Sequence, residues 1–161
     1  MPGRTPNPVP FVVQPGDGTP IEFPIGGSTL MKAHTWNTNG ALAVFESVVP
    51  PKQGPALHIH TREDEMWYIL DGQFRFKAGD ALLGGPTGAF VFGPRGTPHC
   101  FQNVADTPGR LLAICTPSGV ERFFEQYAEL PDPGDPEAFA AIAHANWLEF
   151  VGPPLAVSDP L

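Results

Sequence analysis

Charged residues are scarce in this sequence. Only 16% of its 161 residues are charged, and 9 Lys and Arg stand against 17 Asp and Glu, which gives a formal net charge of −8. Proteins bind nucleic-acid phosphates through clusters of Lys and Arg. An acidic, charge-poor chain therefore argues against a nucleic-acid partner.

Long apolar runs are also missing. No run approaches the roughly 20 residues that a membrane-spanning helix needs, and the first ten residues, MPGRTPNPVP, contain no apolar segment of a signal peptide. Two cysteines, Cys100 and Cys115, are too few for a disulfide framework. We therefore expect a cytoplasmic protein with no membrane partner, in which both cysteines are small buried apolar side chains.

Glycine and proline are abundant, with 18 and 21 residues, and they separate short apolar runs. This pattern predicts many short strands joined by turns. The predicted strands lie near Pro10–Gln14, Ile21–Ile25, Leu30–Thr35, Ala41–Val49, Ala56–His60, Glu65–Leu70, Gln73–Lys77, Ala89–Phe92, His99–Val104 and Arg110–Thr116.

One turn has a distinctive sequence. Asp71-Gly72 lies between two apolar runs, and it predicts a type I′ hairpin because both residues tolerate positive φ. The strand that follows alternates polar and aromatic residues, so Phe74 and Phe76 are predicted to face the core.

The apolar spacing becomes helical beyond residue 117. A stripe from Val120 to Tyr127 predicts one helix, and Asp135-Pro136 begins a second that ends near Ala145. Many strands followed by two helices predict an all-β barrel or sandwich with a helical cover. The chain then divides into an extended arm with short strands (1–27), a barrel (28–117) and C-terminal helices with a tail that packs on the barrel (118–161).

Three histidines and a glutamate form the candidate metal site. His58 and His60 are two residues apart on a predicted strand, so their rings project from the same face, and Glu65 opens the next strand. His99 follows a Pro/Gly turn. Three imidazoles and one carboxylate suit one divalent transition metal: Fe, Mn, Ni, Co, Cu or Zn.

Two neighbouring acidic residues could compete with Glu65 as ligands. Glu63 and Asp64 belong to the same turn. We expect both to be solvated, because Glu65 is the one followed by an apolar strand.

The sequence resembles the cupins in two motifs. The first, His-x-His, four residues, Glu, six residues and Gly, is matched by His58, His60, Glu65 and Gly72. The second, Gly-x5-Pro-x-Gly-x2-His-x3-Asn, is matched by Gly88, Pro94, Gly96, His99 and Asn103. The resemblance implies an antiparallel jelly-roll β-barrel that binds one metal ion through His58, His60, Glu65 and His99.

Asn103 has two possible roles. By period 2 it shares the strand face of His99, where it could orient a ligand. We expect it instead to satisfy backbone groups at a bend of the barrel.

Apolar side chains on the same strand faces as the ligands are predicted to line a substrate pocket. Such a lining suits a flat aromatic substrate of low charge. The Phe-rich stripe of the first helix has two interpretations, namely packing or the mouth of this pocket. The predicted pocket residues are Trp67, Ile69, Phe74, Phe76 and Phe101, with one of Phe90 and Phe92.

Among cupins, the chain looks like the quercetinase-type dioxygenases, because it combines a single barrel with a Phe-rich C-terminal helix. That resemblance implies a catalytic Glu65 that accepts a proton from an enolisable aromatic substrate, with dioxygen as the second substrate. The alternatives are a non-redox cupin enzyme, such as a polyketide cyclase, isomerase or dehydratase, and a non-catalytic small-molecule-binding cupin. Cupins commonly dimerise, so we also expect a homodimer in which the arm Pro2–Gln14 crosses to the partner.

Overall fold

The computed structural model describes residues 7–22 and 26–161. The part of the predicted run Ile21–Ile25 that covers 23–25 lies outside the described residues, as does the start of the arm. The strands are β1 (Thr19–Ile21), β2 (Ser28–Ala33), β3 (Ala43–Val49), β4 (Ala56–His60), β5 (Asp64–Asp71), β6 (Gln73–Ala78), β7 (Ala81–Pro86), β8 (Phe90–Gly93), β9 (His99–Asn103), β10 (Gly109–Thr116) and β11 (Leu148–Pro154). The helices are α1 (Thr35–Thr38), α2 (Glu121–Ala128), α3 (Pro136–Ala145) and α4 (Leu155–Ser158).

The strands form two antiparallel sheets. One has the order β1-β2-β3-β10-β5-β8 and the other has the order β11-β4-β9-β6-β7. Sequential neighbours are repeatedly placed in different sheets, which is the arrangement of a jelly roll. The predicted all-β jelly-roll fold with C-terminal helices is confirmed.

Alternating residues of both sheets fill the barrel. In β3 and β10 every second residue is buried, as expected for strands with one face on a core. Phe74 and Phe76 of β6 are buried as predicted. Their rings pack near Phe101, with centroids 6.0 and 5.9 Å away.

The predicted hairpin at Asp71-Gly72 is wrong. Gly72 has a φ of 101°, but β5 pairs with β8 and β10 whereas β6 pairs with β7 and β9. The turn therefore takes the chain from one sheet to the other. A turn sequence fixes the local reversal, but the sheet that each strand joins depends on which partner covers its backbone.

Three other segments differ from the strands predicted from the sequence. The segment Pro10–Gln14 is not a strand, and the N-terminal strand β1 begins at Thr19 instead. β7 and β11 were not predicted. β7 is almost entirely exposed and contains Gly84-Gly85, while β11 ends in Pro153-Pro154, and Gly or Pro inside a run argues against a strand.

The two predicted C-terminal helices are present as α2 and α3. Asp135 caps α3, because its side chain accepts hydrogen bonds from the backbone N–H groups of Glu137 and Ala138, and Pro136 occupies the first turn. Together with β11, these helices pack aromatic side chains at one end of the barrel. Within the described residues, no helix combines the length and apolar character needed to cross a membrane.

Candidate metal centre

Both sheets contribute to one cluster of side chains inside the barrel. His58 and His60 project inward from β4, and His99 begins β9, where it is the register partner of His58. Glu65 lies on β5 in the opposite sheet. The four side chains are buried, and one ligand atom from each lies within 4.8 Å of the others.

The carboxylate of Glu65 lies at the centre of the three imidazoles. Its Oε2 is 3.0 Å from Nε2 of His60 and 3.0 Å from Nε2 of His99. Nε2 of His58 is 3.9 Å away from the same oxygen. All three Nε2 atoms therefore face one small volume.

Backbone carbonyls orient two of the rings. Nδ1 of His58 donates to the carbonyl of Ala56 at 2.7 Å, and Nδ1 of His99 donates to the carbonyl of Thr97 at 2.9 Å. A ring that donates through Nδ1 has its lone pair on Nε2, the tautomer that binds a metal at Nε2. These two histidines thus have the tautomer that a ligand needs.

The acidic turn differs from the expectation for Glu63 and Asp64. Glu63 is buried, with 1% of its surface exposed, and Asp64 forms a salt bridge with Arg95 at 2.9 Å. Neither residue is simply solvated. Glu63 continues the inward alternation of Glu65, so the period-2 spacing was the signal that could have identified it.

The charges of the cluster are strongly coupled. Burial acts to lower the pKa of His60, but the carboxylates of Glu65 and Glu63 outweigh it and raise that pKa to about 9. Burial likewise acts to raise the pKa of Glu65, but the three histidines hold it well below its ordinary value. Burial lowers the pKa of His58. The carboxylates of Glu65 and Glu63 therefore favour positive charge at His60.

The cluster fits a divalent transition metal. Its donor set is three imidazole nitrogens and one carboxylate oxygen, the set suited to metals of borderline hardness. The donors are buried and two rings have the required tautomer. His58, His60, Glu65 and His99 are thus the residues that would hold the ion.

A cavity of about 400 Å³ opens onto this cluster. That volume lies within the range of roughly 300–1,000 Å³ typical of small-molecule sites. Apart from the cluster, the lining is mostly apolar and aromatic. The lining residues are Phe45, Ser47, Gln53, Gly54, Pro55, Ala56, His58, His60, Glu65, Phe101, Leu111, Val120, Phe123, Phe124, Phe139, Leu148, Phe150 and Pro154.

The cavity lining differs from the pocket expected from the sequence. Of the five expected residues only Phe101 lines the cavity. The other expected residues, Trp67, Ile69, Phe74 and Phe76, are buried in the core beside it. Phe90 and Phe92 are 61% and 50% exposed on the outer face of β8.

Aromatic residues from the C-terminal segment form a wall of the cavity that the residues expected from the sequence do not provide. Phe123 of α2, Phe139 of α3 and Phe150 of β11 have ring centroids 4.8–6.0 Å apart. Phe150 also lies 5.5 Å from the ring of His58. The helical stripe was the signal for Phe123 and Phe124, which are packed in the hydrophobic core and also line the cavity, so both interpretations agree with their positions.

The barrel of this chain is similar to known cupins. Residues 45–115 match the model of the cupin domain family. A predicted oxalate decarboxylase from Thermotoga maritima is 25% identical, with a TM-score of 0.57 over 66% of this chain and 98% of that one. An RmlC-like cupin from Shewanella frigidimarina shares the fold, with 18% identity and a TM-score of 0.53 over 62% and 83% of the two chains.

A curated relative matches about half of this chain. The uncharacterized protein MJ1618 of Methanocaldococcus jannaschii is 28% identical over 75 residues, which cover 47% of this chain. The match spans 60% of the length of that relative. The similarity lies in the barrel and does not identify the substrate of this chain.

Proposed function

We propose that this protein is a metal-dependent, quercetinase-like dioxygenase that acts on an apolar, enolisable aromatic substrate such as a flavonol or a polyketide-like molecule. The observation that carries the proposal is the aromatic cavity that opens onto the His58, His60, Glu65 and His99 cluster. Apolar walls with a few convergent polar groups are the usual anatomy of a site for a small organic molecule.

The charge of the lining favours a neutral substrate. Among the described residues that line the cavity, none is Lys or Arg. A small dicarboxylate such as oxalate, the substrate named for the Thermotoga maritima protein, would enter without a cationic partner apart from the metal site. Burying an unpaired charge is costly, so the cavity favours an aromatic molecule whose one acidic hydroxyl reaches the cluster.

The lining also offers polar side chains beyond the cluster. Ser47 and Gln53 are cavity residues that can hydrogen-bond further oxygen atoms of a flavonol or polyketide. The rings of Phe123, Phe139 and Phe150 exclude water and orient a flat substrate by stacking. These residues bind and position the substrate without taking part in the reaction.

Glu65 accepts the proton of the substrate hydroxyl in this proposal. While its Oε2 contacts the histidines its pKa is low, so the carboxylate is a weak base there. Turning away from the imidazoles removes that stabilisation and makes it a stronger base. The proton moves from the substrate oxygen to Glu65, which leaves the substrate as an enolate.

A bound transition metal supplies Lewis acidity and electronic coupling between the enolate and dioxygen. Both oxygen atoms enter the products as carbon–carbon bonds of the substrate break, so no external reductant is needed.

Oxygen uptake tests this function. The purified protein is analysed for transition metals, and uptake is followed with a panel of flavonols and other enolisable aromatics. The proposal expects a bound metal and substrate-dependent oxygen consumption that stops after metal removal. Turnover that continues without oxygen would identify a non-redox cupin enzyme, and tight binding without turnover would identify a binding protein.

Glu65→Gln tests the role of the base. Loss of a general base typically lowers the rate 10²–10⁴-fold, so we expect kcat to fall by roughly that range. Glu149→Gln, which changes an exposed carboxylate of β11, is the control and should leave kcat unchanged. A Glu65→Gln protein that retains metal and turns over a flavonol at the normal rate would remove Glu65 from this role.

A further inference from the structure

Glu63 is a buried carboxylate whose oxygens have no hydrogen-bond partner among the described residues. It is 1% exposed, and both of its side-chain oxygens lack such a partner, as does Nδ1 of His60. Unpaired buried polar atoms are uncommon in folded proteins, because each one costs about 1–3 kcal/mol. The three orphaned atoms therefore call for a functional explanation.

These atoms face each other. Oε2 of Glu63 is 3.6 Å from Nδ1 of His60, while Nε2 of the same ring is 3.0 Å from Oε2 of Glu65. The ring of His60 thus lies between two carboxylates. Glu63 is on the side away from the metal-binding volume, so it acts on the cluster through His60.

Each oxygen of Glu63 lies near one other charged or titratable side chain. Nη1 of Arg62 forms a salt bridge with Oε1 at 3.6 Å, while its Nη2 donates to the carbonyl of Ser118 and its guanidinium lies over the ring of Trp147. The other oxygen, Oε2, faces Nδ1 of His60. Gly119 covers the carboxylate, because a Cβ built on it would lie 3.6 Å from Oε1. Gly119, which follows β10 in the chain, therefore helps to bury Glu63 next to His60.

Within the described residues, His60 is also the candidate ligand histidine whose Nδ1 has no backbone acceptor. The Nδ1 atoms of His58 and His99 reach carbonyl oxygens at 2.7 and 2.9 Å. Metal-binding histidines generally donate their second nitrogen to a carbonyl or a carboxylate, which fixes the tautomer and increases the basicity of the ligand. Glu63 provides for His60 what the backbone provides for the other two.

We propose that Glu63 is a positioning residue of the metal centre, which accepts a hydrogen bond from the Nδ1–H of His60 and so presents Nε2 to the ion without being a ligand itself. The proposal rests on the metal site of the proposed function but not on the dioxygenase reaction. It can therefore be tested without a substrate.

Metal affinity of Glu63→Gln is the first test. Gln keeps the size of the side chain but replaces the charged acceptor by a weaker, neutral one, and mutation of such a partner typically costs 10–100-fold in affinity. We expect a loss in that range for Zn²⁺ and Co²⁺, measured on the full chain by competition with a chelator. Asp64→Asn is the matched control, because it removes the same charge one residue away from a side chain that pairs with Arg95 instead. Its affinity should stay within threefold of the wild type.

Two spectroscopic measurements separate positioning from direct ligation and from a structural role. The visible spectrum of the Co²⁺-loaded Glu63→Gln protein should retain the wild-type bands, since all four ligands remain. In the Zn²⁺-loaded wild type, imidazole ¹⁵N NMR should show His60 protonated at Nδ1 and metal-bound at Nε2, a result that does not depend on the variant folding.

Several outcomes would overturn the proposal. The proposal is wrong if Glu63→Gln binds the ions as tightly as the wild type, or if Glu63→Gln and Asp64→Asn lose the same affinity. It is also wrong if the Co²⁺ spectrum shows the loss of a ligand, or if His60 binds the ion through Nδ1. Each of these results would leave the metal site itself intact. A wild type that binds neither ion would overturn both this proposal and the proposed function.

Discussion

Asn103 shows how one buried amide holds two loops of the barrel. Its side chain is fully buried and its Nδ2 donates to the carbonyls of Val49 and Thr107 at 3.0 and 2.8 Å. Its Oδ1 accepts from the N–H of Ala105. Of its two possible roles, the satisfaction of backbone groups at a bend is therefore confirmed.

Replacing this amide should destabilise the protein. Asn103→Ala leaves the buried carbonyl of Val49 and partly buried backbone groups of Thr107 and Ala105 unpaired, and a buried unpaired group costs about 1–3 kcal/mol. We expect the free energy of unfolding to fall by about 3 kcal/mol, measured by urea denaturation. The control is Asp106→Ala, an exposed position in the same turn, which should change stability little. Gln102→Ala is not a suitable control because Gln102 pairs with Arg75.

At the level of elements, Glu121 joins the short helix α1 to the start of α2. Its Oε1 accepts from the backbone N–H of Thr35 at 2.7 Å and its Oε2 from that of Gly119 at 3.0 Å. Burial acts to raise the pKa of Glu121, but the hydrogen bonds from Thr35 and Gly119 outweigh it and hold that pKa below 4.5. The ionised carboxylate therefore stabilises the folded state.

The sign of the pH dependence follows from this lowered pKa. Glu121 contributes stability above its unfolded pKa of 4.5, and the contribution is lost as the pH falls through the lower folded value. We expect Glu121→Gln to lower the free energy of unfolding by about 2 kcal/mol at pH 7, as for hydrogen bonds to a charged group. The difference from the wild type should shrink below pH 4.5. Glu125→Gln, an exposed change on the same helix, should show neither effect.

At the scale of the whole molecule, the outer face of the six-stranded sheet is apolar at its edge. Phe90 and Phe92 of the edge strand β8 and Tyr68 of β5 are exposed, and Phe90 and Tyr68 are register partners. The described part of the arm lies elsewhere on this sheet, where Phe11 and Val13 line a groove with Val44 and Leu112. Exposed apolar clusters of this kind mark interaction surfaces.

We propose that the homodimer, expected from the sequence to involve the arm, also buries the exposed cluster of Phe90, Phe92 and Tyr68. Light scattering after size exclusion tests this. We expect the mass of two 17.3 kDa chains, and Phe90→Ser with Phe92→Ser should convert the protein to monomers. Leu82→Ser, an exposed apolar position in the other sheet, is the control that should remain dimeric. A wild type that elutes with the mass of one chain would refute the dimer.

The strand pattern predicted a barrel or sandwich, and the resemblance to cupins in the two motifs implied the jelly-roll barrel and the grouping of His58, His60, Glu65 and His99. Side chains two residues apart on a strand share a face, so the period-2 spacing predicted which residues point inward. That rule is local, and it holds whichever sheet the strand joins.

Only the tertiary structure decided what covers those inward faces. Glu63 lies two residues before Glu65 and so shares its inward face, yet a charged residue in a turn is ordinarily solvated. Glu63 is buried because Arg62 and Gly119 cover it. The cavity wall similarly comes from Phe123, Phe139 and Phe150, on elements far from the motifs in sequence. Periodicity determines which face of an element is apolar, whereas long-range packing determines what that face meets.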